Sequence, residues 1–242
     1  MTPELVKGLF VTLEGTEGGG KTTQIGLLAQ RLRDAGRSVR LLREPGGTPI
    51  GEEIRHTLKH SEQNRAMTAE AELLLMNASR AQLVREVIRP ALQAGEIVLC
   101  DRFYDSTVAY QGYGRQLDLK KVQSVIDFAV GETRPDLTLL LMVPISVSET
   151  RRLERQASLL AVPAKTTLGP GGVPLRFDAP LRDRMEEADR QFFERVEKGY
   201  QAIAAAEPKR VRVLDATRSV EIISAEIWAF VAPLLGSSLP GR

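Results

Sequence analysis

Gly15 to Thr22 read G-T-E-G-G-G-K-T, directly behind the apolar run Leu9-Phe10-Val11-Thr12-Leu13. Every fixed position of the phosphate-binding pattern G-x-x-x-x-G-K-[ST] is filled, between a strand-like run and a helix-like one. Glycines there let the backbone turn tightly and point its N–H groups at phosphate oxygens. The helix that the loop opens adds an N-terminal dipole favourable to anions. Lys21 is then placed to reach the β- and γ-phosphates, and the Thr22 hydroxyl to ligate Mg2+. Gly15, Thr16, Glu17, Gly18, Gly19, Gly20, Lys21, Thr22 and Thr23 therefore read as a nucleoside triphosphate site rather than a glycine-rich turn before an unrelated helix.

Outward from this loop, short apolar runs at 9–14, 38–42, 96–100, 137–143 and 210–214 alternate with helical patterns at about 21–35, 48–59, 68–94, 118–130, 146–158, 180–206 and 219–235. Continuously apolar strands suit a parallel sheet covered on both faces. The alternation implies right-handed βαβ crossovers and an α/β chain, and with the phosphate loop it resembles the P-loop nucleoside triphosphate hydrolase fold. Its doubly wound, five-stranded parallel sheet is flanked by helices, with ligands at the carboxyl ends of the strands. Gly36 and Gly95 stand where helices should end, and Ser219 where the last should begin.

The whole of 1–242 reads as a single domain with a lid at about 151–184 inside it. Within that lid, 159–180 carries four prolines and three glycines. Such a composition precludes a regular element, so the segment reads either as a disordered insertion or, because arginines flank it on both sides, as a mobile lid; the flanks favour the lid, and the middle stays open between the two.

Composition narrows the partners. Thirty-three basic and 31 acidic residues leave a net charge of +2, which gives no bulk electrostatic case for nucleic acid. No apolar run approaches the length of a membrane span, and the N-terminus lacks the apolar core of a signal peptide. The single cysteine, Cys100, excludes an intrachain disulfide and fits the cytoplasm. The two histidines, His56 and His60, read as surface groups on a helix.

A phosphate loop does not say what becomes of the phosphate. The strand ending Leu99-Cys100 delivers Asp101, a carboxylate suited to the metal shell. Arg102 follows, able to clamp a phosphate with its two-pronged guanidinium, then Ser106, Thr107, Tyr110 and Gln111. A second strand-end loop, R-E-P-G-G-T from Arg43, sends another arginine to the side where an acceptor should lie. Arg80 interrupts the apolar pattern of the helix over 68–94; by itself it reads as structural.

Taken together, E-G-T-E-G-G-G-K-T-T, R-E-P-G-G-T, A-S-R-A-Q, D-R-F-Y-D-S-T-V-A-Y-Q-G, R-P-D-L-T, D-R-M-E and L-D-A-T make the chain resemble the thymidylate kinases, over about 8–235. The resemblance implies reversible transfer of the γ-phosphoryl group of ATP to dTMP, with Mg2+, in dTTP biosynthesis. It also implies a homodimer. It gives Glu17 the 3′-hydroxyl of the acceptor, Arg43 and Arg102 its phosphate, and Arg80 the thymine. Ser106 and Gln111 become base-side contacts, and Tyr110 the ring that crowds the 2′ position. Asp215-Ala216-Thr217 becomes the loop near adenine.

Gly18 stands where some members carry a catalytic arginine, so arginines from the lid are implied instead: Arg151, Arg155 and Arg184, the last in D-R-M-E. Three departures from the family pattern stand out. Met76 replaces a phenylalanine that stacks on thymine, Met142 replaces a common aspartate, and the lid is longer than usual. Rival readings are a kinase for another monophosphate or nucleoside, a P-loop switch or ATPase, and a degenerate binding protein. No guanine-reading N-K-x-D stretch supports a GTPase switch.

Overall fold

The computed structural model describes residues 8–151, 154, 167–168, 174–175 and 189–235. Five strands, β1 (Leu9–Glu14), β2 (Val39–Arg43), β3 (Ile97–Asp101), β4 (Leu137–Met142) and β7 (Val211–Asp215), form one sheet in the order β2-β3-β1-β4-β7. All four neighbouring pairs are parallel, as the strand–helix alternation requires. The three central strands are buried on both faces. The edge strands depart from the continuous burial expected of them: Arg40 and Leu41 on β2 and Arg212 and Val213 on β7 are exposed, because an edge strand has a neighbour on only one side.

On one face of the sheet, α1 (Lys21–Asp34) and α9 (Val220–Val231) bury Ile25, Leu28, Leu32, Ile223, Ile227 and Val231 against β1, β3, β4 and β7. On the other lie α3 (Ala69–Leu83), α6 (Leu119–Val130) and α8 (Arg190–Ala206). Caps fix where these begin. Thr68, Asp118, Asp189 and Ser219 each accept a hydrogen bond from a first-turn N–H of α3, α6, α8 and α9 respectively. Gly36 and Gly95, with φ of 73° and 76°, end helices in the left-handed conformation that a side chain resists. A further helix, α2, covers Pro49–Lys59 and starts on the Thr48 cap with Pro49 behind it.

The helix expected over 68–94 is not uniform. After Leu83 it widens into a π-turn at Val84–Ile88 and resumes as α4 (Arg89–Gln93). Pro90 has no N–H to give the preceding turn, and a widened turn relieves that demand. The segment 159–180 is not wholly irregular either: Thr167–Leu168 (β5) pairs antiparallel with Pro174–Leu175 (β6). A two-residue edge ladder tolerates a proline that donates nothing. A helix over 145–151, α7, follows β4. Among the described residues no helix is long and apolar enough to cross a membrane.

Register places the site. Arg43 pairs with Asp101 across β2 and β3, and Leu13 with Asp101 across β1 and β3. The carboxyl ends of three strands thus bring Glu14, Arg43 and Asp101 to one edge, next to the point where β1 is flanked by β3 on one side and β4 on the other.

Candidate active site

The phosphate loop follows β1 without a break. Gly15, Gly18 and Gly20 all have positive φ, at 129°, 73° and 80°. A Cβ on Gly15 would overlap the Leu141 carbonyl of β4, so the loop lies against the sheet with no room for a side chain there. Lys21 Nζ donates to the carbonyls of Gly15, at 3.1 Å, and Thr16, at 2.8 Å, folding the ammonium back into the loop. Burial, helped by Arg102, pulls the Lys21 ammonium down to about 7, against the pull of Asp101, Glu17 and Glu14. An incoming phosphate would restore it.

Behind the loop, α7 supplies its own clamp: Ser148 Oγ donates to the Glu17 carbonyl at 2.6 Å, and Arg151 Nη1 to those of Gly18 and Ala216. A Cβ on Gly18 would stand 3.1 Å from that of Arg151. In this chain α7 therefore occupies the space that a side chain at position 18 would need. The cleft over the loop holds about 830 Å3 and is lined by Glu17, Gly18, Lys21, Thr22, Thr23, Arg43, Asp101 and Arg102, among others.

Thr22 Oγ1 donates to Asp101 Oδ2 at 3.1 Å, so the two residues expected to hold a cation lie together. Both offer hard oxygen. No group of three or more His, Cys, Asp or Glu able to hold a metal occurs among the described residues. Such a sparse pair suits Mg2+, which keeps several waters and takes the rest of its shell from substrate phosphates.

Arg102 adopts φ 69°, a strained backbone for a non-glycine residue, anchored by its N–H to the Leu13 carbonyl. Its guanidinium donates to Ser106 Oγ at 3.1 Å and to the hydroxyls of Tyr110 and Tyr200, each at 3.3 Å, and stacks over the Tyr110 ring. Glu17 Oε1 lies 4.0 Å away. Under this cluster is Glu14, fully buried. It accepts from the Phe103 N–H, from Ser106 and from the Tyr200 hydroxyl. Burial, and then the charge of Asp105, raises its carboxyl to about 7, although Ser106, Arg102 and the Phe103 N–H oppose the rise.

Beyond Arg102 the cleft opens into a second pocket that shares Glu17, Glu44, Lys59 and Arg102 with it. Its walls are Met76, Arg80, Phe103, Ser106, Thr107, Tyr110 and Gln111, from α3, from α5 (Tyr104–Thr107) and from the π-helical turn Val108–Gly114. Arg80 is not solvated, as a helical arginine usually is. It is 2% exposed and donates to both oxygens of Glu44, to Asn77 Oδ1, to Thr107 Oγ1 and to the Phe103 carbonyl. Arg43 does not line this pocket; it lines the phosphate-loop cleft, held by Glu52 at 3.2 Å. Ser106 lies at the Arg102 end of the pocket. Arg155 and Arg184 lie outside the described residues.

Sequence reasoning missed Glu14, Glu44 and Tyr200. Glu14 ends an apolar strand in a carboxylate, the signal that found Asp101, and was overshadowed by the loop behind it. Glu44 hid inside the R-E-P-G-G-T motif. Tyr200 gives no local signal, since α8 carries it to Arg102 across 98 residues of sequence.

The family model for thymidylate kinase matches residues 13–165. The thymidylate kinase of Syntrophotalea carbinolica is 44% identical over 232 residues, covering 96% of this chain and 98% of that protein. That of Deinococcus radiodurans is 45% identical over 228 residues, covering 93% and 97%. A crystal structure of thymidylate kinase from Ehrlichia chaffeensis superposes with a TM-score of 0.68 at 29% identity, over 93% of this chain and 99% of that one. With a phosphate loop, a second pocket joined to its cleft and relatives matched almost from end to end, the chain belongs to the thymidylate kinase family.

Proposed function

We propose that this chain transfers the γ-phosphoryl group of ATP to dTMP, reversibly, giving dTDP and ADP on the route to dTTP. The observation that carries this is the junction at Arg102 and Glu17, where the phosphate-loop cleft opens into an acceptor pocket. A hydrolytic switch has no need of a second, walled site beside its γ-phosphate.

An oxygen of the acceptor phosphate attacks the γ-phosphorus, the bond to the β-phosphate oxygen breaks, and ADP leaves. The nucleophile is already charged, so no side-chain base is needed, and the protein positions and neutralises. Lys21 and the amides of Gly15 to Gly20 hold the donor phosphates. Thr22 and Asp101 would hold Mg2+, which would supply charge neutralisation for the phosphates. Arg43 and Arg102 bring the acceptor phosphate into line, with Ser106 and Tyr200 fixing Arg102. Glu17 takes the 3′-hydroxyl and Tyr110 crowds the 2′ position. Met76, Arg80 and Gln111 form the base site. Methionine covers a base face through its polarizable sulfur rather than by π-stacking. Arg151 braces the donor loop, and Arg155 and Arg184 are the proposed lid arginines that neutralise charge on the transferred group.

The molecule is proposed to work in the cytoplasm as one domain with its lid, and as a homodimer. Cys100, buried and unbridged, supports the compartment. Leu74 of α3 and Phe128 of α6, two exposed apolar side chains on helices that pack together, support the dimer. Light scattering behind size exclusion tests it.

ADP release from MgATP, with dTMP, dUMP, UMP, dCMP, dGMP and AMP offered singly and with no acceptor, tests the reaction. Turnover that needs an acceptor and favours dTMP is expected. Turnover indifferent to acceptor would refute the kinase reading.

A further inference from the structure

Gln111 is 1% exposed and forms part of the acceptor pocket wall. Its Nε2 donates to Glu72 Oε1 at 2.8 Å. Glu72 belongs to the first turn of α3, is fully buried and lies behind the pocket rather than in its lining. Arg115, one α-helical turn's count after Gln111, grips the same carboxylate with both prongs: Nε to Oε1 at 3.2 Å and Nη2 to Oε2 at 3.0 Å. The arginine is itself held over the Phe192 ring of α8, 4.7 Å from its centre.

A glutamine amide has a donor end and an acceptor end, and its neighbours decide which way it points. An ion-paired carboxylate only accepts. Glu72 therefore draws the NH2 group away from the pocket and leaves the Gln111 carbonyl as the end that the pocket can use. Resting on the dTMP kinase reading above, we infer that Glu72 and Arg115 form a positioning pair that locks Gln111 with its acceptor toward the base, so that the site selects pyrimidines with a protonated N3. Thymine and uracil carry N3–H and satisfy the carbonyl. Cytosine presents a bare N3, so two acceptors face each other. Neither Glu72 nor Arg115 touches substrate; both act through Gln111.

The experiment measures kcat and KM for dTMP, dUMP and dCMP in the native enzyme and in Glu72→Gln. Glutamine at 72 can donate, so Gln111 is free to turn its amide. The preference for dTMP over dCMP is expected to narrow by about tenfold or more, through a higher KM for dTMP and a lower one for dCMP, with dUMP following dTMP. A folded Glu72→Gln enzyme with the native preference overturns the inference. A merely structural role would lower activity on all three acceptors alike, which overturns it too.

If Glu72→Gln does not fold, the native enzyme still decides. The Gln111 side-chain NH2 resonances, assigned by their loss in Gln111→Leu, should be protected from exchange and hold their shifts when dTMP is added. Rapid exchange, or a large shift on dTMP binding, would mean that the amide donates to the base instead. A native enzyme that phosphorylates dCMP as well as dTMP would refute the dTMP reading itself, independently of any variant.

Discussion

Arg80 gives its donors to Glu44, Asn77, Thr107 and the Phe103 carbonyl inside the protein, whereas Arg43 stands half in solvent beside Glu52. Coulomb attraction is screened at the second site and not at the first, and so is the penalty for losing a partner. Burial raises the Glu44 carboxyl above its ordinary value while Arg80 pulls it down, so that pair is held by geometry as much as by charge. Glu44→Ala is expected to cost about 3–5 kcal/mol, because it strands a buried guanidinium. Glu52→Ala is expected to cost about 1 kcal/mol or less. Urea unfolding of both variants checks the contrast, and equal losses would contradict it. The Tyr200 hydroxyl is a subtler case. It touches Glu14, Arg102 and Ser106, so Tyr200→Phe should leave the fold intact and loosen Arg102. A fall in kcat for dTMP of about tenfold is expected. A kcat equal to the native value would show that Arg102 needs no such tether.

Between residues and molecule stand the elements, and the phosphate loop is the one whose packing was least legible beforehand. Its own sequence stated the strand, the turn and the helix, because glycine, lysine and threonine at fixed spacing leave few other uses. The central strands were equally legible, since burial on both faces demands unbroken apolar runs. What the sequence could not show is what packs on what. Arg151 reads as a lid arginine, yet its guanidinium braces the carbonyls of Gly18 and Ala216. The widening at Val84–Ile88 was hidden because apolar spacing alone does not separate an α-turn from a π-turn. Arg80 by itself read as structural, but its carboxylate partner was not legible, because Glu44 lies 36 residues away in a loop recognised for its glycines. Packing of α7 on the loop has a measurable consequence. Gly18→Ala adds a Cβ at φ 73°, 3.1 Å from the Arg151 Cβ and 3.3 Å from the Ser148 carbonyl. Strain of about 1–3 kcal/mol must then be relieved by moving α7 or the loop. The KM for ATP is expected to rise about tenfold while that for dTMP stays near native. An unchanged KM for ATP would mean that the loop tolerates the methyl group.

At the scale of the whole molecule, two packed cores on the faces of the sheet hold a site that works against stability. Glu14 and Lys21 are both buried at the strand ends, with their charged forms disfavoured there. Glu14 is raised to about 7 from an ordinary 4.5. Between those values the folded chain keeps a proton that the unfolded chain has lost, so Glu14 makes stability fall as pH rises through that window. Lys21 works in the opposite window. It is lowered to about 7 from 10.5, so below about pH 7 the folded chain carries a buried ammonium at full cost. From there to 10.5 the folded chain has shed the proton and the unfolded chain has not, and the cost shrinks as pH rises. Lys21→Met removes that charge and keeps the apolar stem, at the loss of two hydrogen bonds to Gly15 and Thr16. The net gain at pH 6 is expected to be on the order of a few kcal/mol, a rise in Tm of roughly 5 °C or more. By pH 9 the gap between variant and native chain should have narrowed. MgATP at a hundred times its Kd should stabilise the native chain by about 2.7 kcal/mol and, at the same concentration, the variant by much less, since the cation proposed to meet the phosphates is gone. Thermal melts at pH 6 and pH 9, each with and without MgATP, read all of this at once. A Lys21→Met chain that melts below the native one at pH 6 would show that the lysine holds the loop together even when empty. The expected pattern, more stable and no longer stabilised by nucleotide, follows if the fold bears a permanent cost to keep a cation waiting for phosphate.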